Sequence, residues 1–513
     1  MSLLNKASAF FGKLPGIGDA LNNRVINKYA NAVPPRPRPL SMAEPYVTWR
    51  GLTDRRYSGR HLPADPAYTA SLPELNEVAT LFKQTEDRRA NDTSLLFPFF
   101  AQWFTDSFLR TKWKPENQQD FAHNESNHEI DLCQIYGTNE ERTATLRSFQ
   151  EGRLKSQILH DEEYPVNLFE ETASGLRIKP EFERLYTPAN FDRVFGNASD
   201  THKKNAFAVG IEHGNSTMGN TLLNILFLRE HNHIAGLLHK QYPDWDDERL
   251  FQTARNINIV LLLNIVISDY IVHIAPVDFP LRAVPGKAEK EHWYRTNWIA
   301  VEFALLYRWH SFIPKTVTFA GDTRESSALR HNNVWVQEIG ISDLCRQASC
   351  QKAGYLTVGN TPDFLLEIEK LSLHMARTCQ LQSFNNYRQH YGLRKITSFD
   401  QLTANKDLAQ KLKLLYNNVD EVEWLVGLFA EDYGTTSMMG ELMVTMVTMV
   451  ANDAFTQALT NPLLSANIYN EDTFSPLGME IINNTKGLAD IIVRNTTITE
   501  RDSVGFKYRQ GQV

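Results

Sequence analysis

The sequence predicts a mainly α protein, one large helical domain preceded by a short amphipathic element at the N-terminus. Three observations carry this. Apolar residues recur near every 3.6 positions over long stretches, strand-like pieces are short and scattered, and one proline-rich segment marks the only strong boundary. No fixed period recurs along the chain, which sets aside a solenoid.

Residues 1–33 form the appendage. Leu3, Leu4, Ala7, Phe10, Phe11, Leu14, Ile17, Leu21, Val25 and Tyr29 recur near helical period, while Lys6, Lys13, Arg24 and Lys28 occupy other faces. Pro15-Gly16 divides it into two helices. A cationic amphipathic pair suits a membrane surface, and equally suits docking on the main domain or a second subunit. Residues 34–40, Pro34-Pro35-Arg36-Pro37-Arg38-Pro39-Leu40, then make a stiff extended connector, since alternating prolines exclude helix. From 41 to 513 helical patterns dominate, over 95–110, 221–239, 248–274, 298–308, 361–379 and 421–459, with Thr316–Phe319 reading as a strand. The longest apolar run, 257–267, is interrupted by Asn264, is too short to cross a bilayer and reads as a buried helix.

With 513 residues, 42% of them hydrophobic and 22% charged, the chain can bury a sizeable core. A net charge of -7 and a pI near 6.1 argue against nucleic-acid binding. Partners are expected among small molecules, a lipid surface or other subunits, with a homodimer left open. Cys133, Cys345, Cys350 and Cys379 are too few and too irregular for a disulfide framework or a zinc site, and are expected to be reduced and buried. The first residues lack the pattern of a secretory signal, which predicts a cytoplasmic location, peripheral at a membrane if the N-terminal pair lies on one. Sequons such as Asn91-Asp92-Thr93 then carry little weight.

The most informative stretch is Tyr307-Arg308-Trp309-His310, inside an apolar run from Val301 to Pro314. On one helix a phenol and an imidazole three residues apart share a face, with roughly 5–6 Å between Cβ atoms. A histidine that binds a haem iron and a tyrosine that carries a radical away from it need about this arrangement. The bland alternative is a pair of satisfied core residues.

Other segments decide between these. Phe100-Ala101-Gln102-Trp103-Phe104-Thr105, Asp131-Leu132-Cys133-Gln134-Ile135-Tyr136-Gly137, Leu228-Arg229-Glu230-His231-Asn232 with its continuation through 244–253, Ser268-Asp269-Tyr270, Tyr307 to His310, and Ser383-Phe384-Asn385-Asn386-Tyr387-Arg388 follow in order. Together they resemble the animal-type haem peroxidase superfamily, in its cyclooxygenase and bacterial fatty-acid dioxygenase branch, over about 45–495. The resemblance implies a haem peroxidase-like helical fold, haem b as cofactor and His310 as the iron ligand. It implies Tyr307 as the hydrogen-abstracting radical, Tyr270 as its support, and Gln102 on the distal face of the haem. Peroxide would start the reaction, and an unsaturated fatty acid and dioxygen would be the substrates.

Two departures qualify that picture. Four residues after Gln102 the family has a distal histidine, and this chain has Asp106, one helical turn away and facing the same pocket. A carboxylate is the weaker base, so peroxidase turnover is expected to be reduced. Within Gly210-Ile211-Glu212-His213, aligned with a segment near the distal face, His213 stands where cyclooxygenases are apolar and is a candidate to take over as base; its alternative is a packing histidine. At the mouth of the fatty-acid channel the expected arginine and tyrosine are replaced by Asn27 and Val277, leaving Lys28 or Arg24 to pair with a carboxylate. In the channel region from Met446 to Ala454, Val447 in place of a small residue and an alanine in place of the family's serine favour a simple hydroperoxide over cyclisation. The reading is a haem-dependent fatty-acid dioxygenase. Its alternatives are a haem peroxidase or fatty-acid alpha-dioxygenase, and a catalytically silent haem- or lipid-binding protein.

Overall fold

The helix over 218–241 lies at the centre of the protein, buried on nearly every face although it carries Asn224, Arg229, Glu230, His231 and Asn232. In the computed structural model, which describes residues 16–33, 57–112, 114–126, 128–274, 280–294, 299–433 and 443–511, the main helices are α1 (Ile17–Ala30), α2 (Leu96–Thr105), α3 (Met218–Gln241), α4 (Asp247–Ile265), α5 (Val301–Leu306), α6 (Leu366–Thr378), α7 (Phe384–His390), α8 (Trp424–Ala430), α9 (Val444–Leu459), α10 (Glu471–Asn484) and α11 (Leu488–Asn495). Thr217 caps α3 by accepting the backbone N–H of Asn220, and Asp246 caps α4 by accepting that of Arg249. Against α3 pack α2, α4 and α11, and α4 also carries α10. The buried apolar side chains form one continuous core. The described strands pair as four antiparallel two-stranded ribbons, among them Thr316–Phe319 with Asp322–Glu325.

The mainly α expectation holds, and several details change. The patterns over 248–274 and 361–379 are helical as expected. The pattern over 421–459 is two helices, α8 and α9, and that over 298–308 stops at Leu306. Tyr307 and His310 therefore do not share a helix: Tyr307 closes α5 and His310 opens the short turn His310–Phe312. The run judged too short to cross a membrane is also longer than expected. With its continuation α4 reaches Ile274, 28 residues long and apolar enough by length and composition to cross a membrane, yet 72% of its apolar window is buried in this fold. Within that continuation Val266–Tyr270 is π-helical, and Ile271–Ile274 returns to α-helix. All four cysteines are free and buried.

Of the N-terminal element only α1 lies among the described residues; 1–15 and the connector 34–40 fall outside them. Buried Ile26 and Ala30 seat α1 in the domain, against α9, while Arg24 and Lys28 are exposed.

The motifs that marked the chain turn out to fasten helices together. Arg229 donates to the Asn495 carbonyl at 2.9 Å, Glu230 pairs with Arg494 at 2.7 Å, and His231 meets the Tyr136 hydroxyl at 2.9 Å. The Tyr387 hydroxyl donates to Glu302 at 2.7 Å, and Glu302, buried inside α5, also accepts the backbone N–H of His61 at 2.9 Å. Arg388 pairs with Glu431, tying α7 to the end of α8.

Candidate active site

α2 is buried except at Gln102, and its closing residue Asp106 is also partly exposed. What exposes them is a cavity of about 640 Å³, lined by Gln102, Asp106, His213, Tyr307, Arg308 and His310 among others. Five of the residues singled out in the sequence thus meet around one space, and Tyr270 lies behind Tyr307. Arg24 and Lys28 do not reach this cavity. Asn27 is engaged by the Trp293 indole N–H at 2.8 Å, and Val277 lies outside the described residues.

One wall is the irregular segment after α5. The Ser311 carbonyl accepts the Asn360 amide at 3.3 Å, and the Ser311 hydroxyl accepts the Thr357 N–H at 3.2 Å. Gly354 lies so close behind that a Cβ there would stand 2.1 Å from the Ser311 oxygen. His310 Nδ1 is 3.0 Å from Oε1 of Glu369, off the line of an ideal hydrogen bond. Glu369 is buried on α6 and also accepts the Thr361 hydroxyl at 3.1 Å. The other imidazole nitrogen, Nε2, has no partner among the described residues. A carboxylate on one ring nitrogen and a free second nitrogen is the arrangement of a metal-binding histidine.

Tyr307 packs against Phe303, ring centroids 5.3 Å apart, and against Trp309 at 4.7 Å. Phe97 stacks between Tyr270, at 5.1 Å, and Trp309, at 6.1 Å. Burial raises both phenol pKa values; the contact between the hydroxyls raises that of Tyr270 further and lowers that of Tyr307. Neither hydroxyl has an aligned hydrogen-bond partner. Arg308 also lines the cavity, and its guanidinium forms no hydrogen bond with a described residue.

The opposite wall is built on α2 and the start of α3. The Gln102 amide oxygen accepts the Thr217 hydroxyl at 3.3 Å. Asp106 stands at the negative end of the α2 dipole, an unfavourable place for a carboxylate, and accepts the Asn220 amide at 3.0 Å. The same Asn220 nitrogen donates to the His213 carbonyl at 3.0 Å, tying the two residues together. Behind them Arg110 donates to Glu212 at 2.6 Å, wholly buried; burial opposes the Glu212 charge, but the guanidinium outweighs it and holds the carboxyl well below its usual range. His213 Nδ1 lies 3.3 Å from that carboxylate. Burial, then the Arg193 charge, lower the His213 pKa, so the ring is neutral near pH 7. No part was assigned from the sequence to Glu369, Asn220 or Arg308, although Arg308 lay within the Tyr307–His310 stretch and Asn220 just inside a capped helix start; nothing marked Glu369 on its half-buried helix.

The family model described as animal haem peroxidase matches residues 105–504. Prostaglandin G/H synthase 1 of Mus musculus is 31% identical over 495 residues, covering 94% of this chain and 77% of that protein. Two solved structures share the fold. Fatty acid alpha-dioxygenase of Arabidopsis thaliana superposes with a TM-score of 0.73 at 16% identity, over 100% of this chain and 94% of that one. Peroxidase A of Dictyostelium discoideum superposes with a TM-score of 0.67 at 16% identity, over 91% and 95%.

Proposed function

This chain belongs to the animal haem peroxidase family and is an oxidoreductase, and we propose that it adds dioxygen to an unsaturated fatty acid, with Tyr307 abstracting the hydrogen and His310 holding the iron. One observation carries the reading: Tyr307 and His310 line the same cavity as Gln102, Asp106 and His213.

The cofactor of the family is haem, and the residues present fit it. His310 offers an unpartnered nitrogen with a carboxylate behind the ring, and the apolar Pro98, Phe99, Leu329 and Leu365 line the cavity beside the polar groups. When bound, haem supplies the peroxide-driven one-electron oxidation. Tyr307 gives up that electron together with its phenol proton. The tyrosyl oxygen then takes a hydrogen atom from a fatty-acid C–H, most readily a bis-allylic one, and dioxygen adds to the carbon radical. The peroxyl oxygen takes a hydrogen atom back from Tyr307, which leaves a hydroperoxide and restores the radical. Tyr270 and Trp309 hold the Tyr307 ring, and the aromatic packing around it excludes water. His213 is the base that takes the proton from peroxide, with Asp106 coupled to it through Asn220. The exposed Ile17, Arg24 and Lys28 on the outer side of α1 support peripheral contact with a lipid surface.

The test uses purified protein loaded with haem. The Soret band is expected to be lost in His310→Ala and kept in Tyr307→Phe, while linoleate-dependent oxygen uptake, primed with a trace of hydroperoxide, is lost in both. Uptake that survives Tyr307→Phe overturns the assignment. A 2-hydroperoxide product would place the chain with alpha-dioxygenases, and haem binding without uptake would mark a peroxidase or a silent haem protein.

A further inference from the structure

We propose that Arg308 is the carboxylate seat of the cavity, taking either a propionate of the bound haem or the carboxylate of the fatty acid; the inference rests on the haem-dioxygenase reading above.

Arg308 lines the same cavity as Tyr307 and His310. No carboxylate, carbonyl or hydroxyl of a described residue hydrogen-bonds its guanidinium, and its buried Nε is without an acceptor. The contrast with other buried arginines is sharp. Arg110 meets Glu212, Arg229 meets Glu162, Arg147 meets Asp247 and Arg388 meets Glu431, all as direct ion pairs. The charged groups whose fields reach Arg308 are Asp106 and Glu369. Both are committed elsewhere, Asp106 to the Asn220 amide, Glu369 to the Thr361 hydroxyl and the His310 ring.

A guanidinium taken out of water without a partner is costly. Four buried arginines meet carboxylates, whereas Arg308, on the cavity, meets no acceptor among the described residues, which reserves it for an incoming anion. The planar fork of N–H donors matches two carboxylate oxygens at once, which hydrogen peroxide, neutral at pH 7, does not offer.

Four probes separate the sources: protohaem IX, its dimethyl ester, palmitate and methyl palmitate. Affinities are read from the Soret band for the haems and by calorimetry on the haem-loaded protein for the lipids. If a propionate is the occupant, Arg308→Gln weakens protohaem by at least about tenfold, and the dimethyl ester binds wild type and variant alike. If the fatty acid is the occupant, haem affinity holds while palmitate weakens by a similar factor and methyl palmitate does not distinguish the two. Arg308→Lys, a point charge without the fork, is expected to recover part of either loss. Removing an unpaired buried charge should leave the apoprotein melting no lower than wild type. Should the variant nonetheless fail to fold, the wild type decides alone, because esterification of one ligand must cost it affinity. The seat is overturned if Arg308→Gln binds protohaem and palmitate within about twofold of wild type, or if neither ester is disfavoured by the wild type. Either result in a wild type that still consumes oxygen overturns the seat and spares the dioxygenase reading.

Discussion

The two walls of the cavity are held in different ways. The His310 wall is an irregular segment with no helix of its own, fixed from outside by Glu369, Asn360, Thr357 and the close approach of Gly354, and through α5 by Glu302 with Tyr387 and His61. The Asp106 wall is α2, one short turn and the first residues of α3, fastened to one another by Asn220 with Asp106 and the His213 carbonyl, by Thr217 with Gln102 and by Arg110 with Glu212. Gly210 lets that turn lie against 133–137, where a Cβ would stand 2.0 Å from the Cys133 oxygen. The proposed shift of the base from Asp106 to His213 stays inside the second wall, because the Asn220 amide holds both residues.

This comparison breaks first at the base. His213→Ala should slow reaction with peroxide by about 10²–10⁴-fold in stopped-flow measurements, and Asp106→Asn by distinctly less. Because burial lowers the His213 pKa, the ring works as a base above that lowered value. The acid limb of the rate should therefore fall below the ordinary histidine range and vanish in His213→Ala. A larger loss in Asp106→Asn would return the base to α2. Next comes the brace. Glu369→Gln keeps shape but removes the charge beside His310, and should weaken haem by about 10–100-fold in Soret titrations; unchanged affinity would mean that the other fastenings suffice.

The smallest effect lies in the π-helical turn that carries Tyr270. Burial raises the Asp269 pKa to about 6, even though its carboxylate accepts the Leu488 N–H at 2.9 Å. A folded-state pKa above the unfolded value means that this group contributes most stability at low pH and loses it as pH rises through about 4 to 6, a change of roughly 2–3 kcal/mol. In urea titrations Asp269→Asn should gain that amount relative to wild type between pH 4 and pH 7. A constant difference across the range would show that Asp269 titrates normally.

What was legible in the sequence was periodicity and order. Apolar spacing placed α2, α3 and α4, and the alignment of short motifs brought Gln102, Asp106, His213, Tyr307 and His310 to one cavity before any coordinates. Two things were hidden. A 3.6-residue pattern does not report where a helix stops, so Tyr307 and His310 were read onto one helix although the backbone leaves helical geometry after Leu306. Polar partners from distant segments leave no local trace, as Glu369, 59 positions from His310 along the chain, shows. Nor did conspicuous motifs mean chemistry: Arg229, Glu230, His231 and Tyr387 fasten helices.

The π-helical turn Val266–Tyr270 also bears on how such a site arises. A π turn amounts to one extra residue threaded into an α-helix, and everything beyond it rotates by about 100°. The insertion lets α4 keep its packing on α3 upstream while presenting Tyr270 to Tyr307 downstream. Read backwards, deleting a single residue here would restore an unbroken helix and turn the Tyr270 phenol away from Tyr307, so one codon separates a helix that only packs from one that also meets that ring.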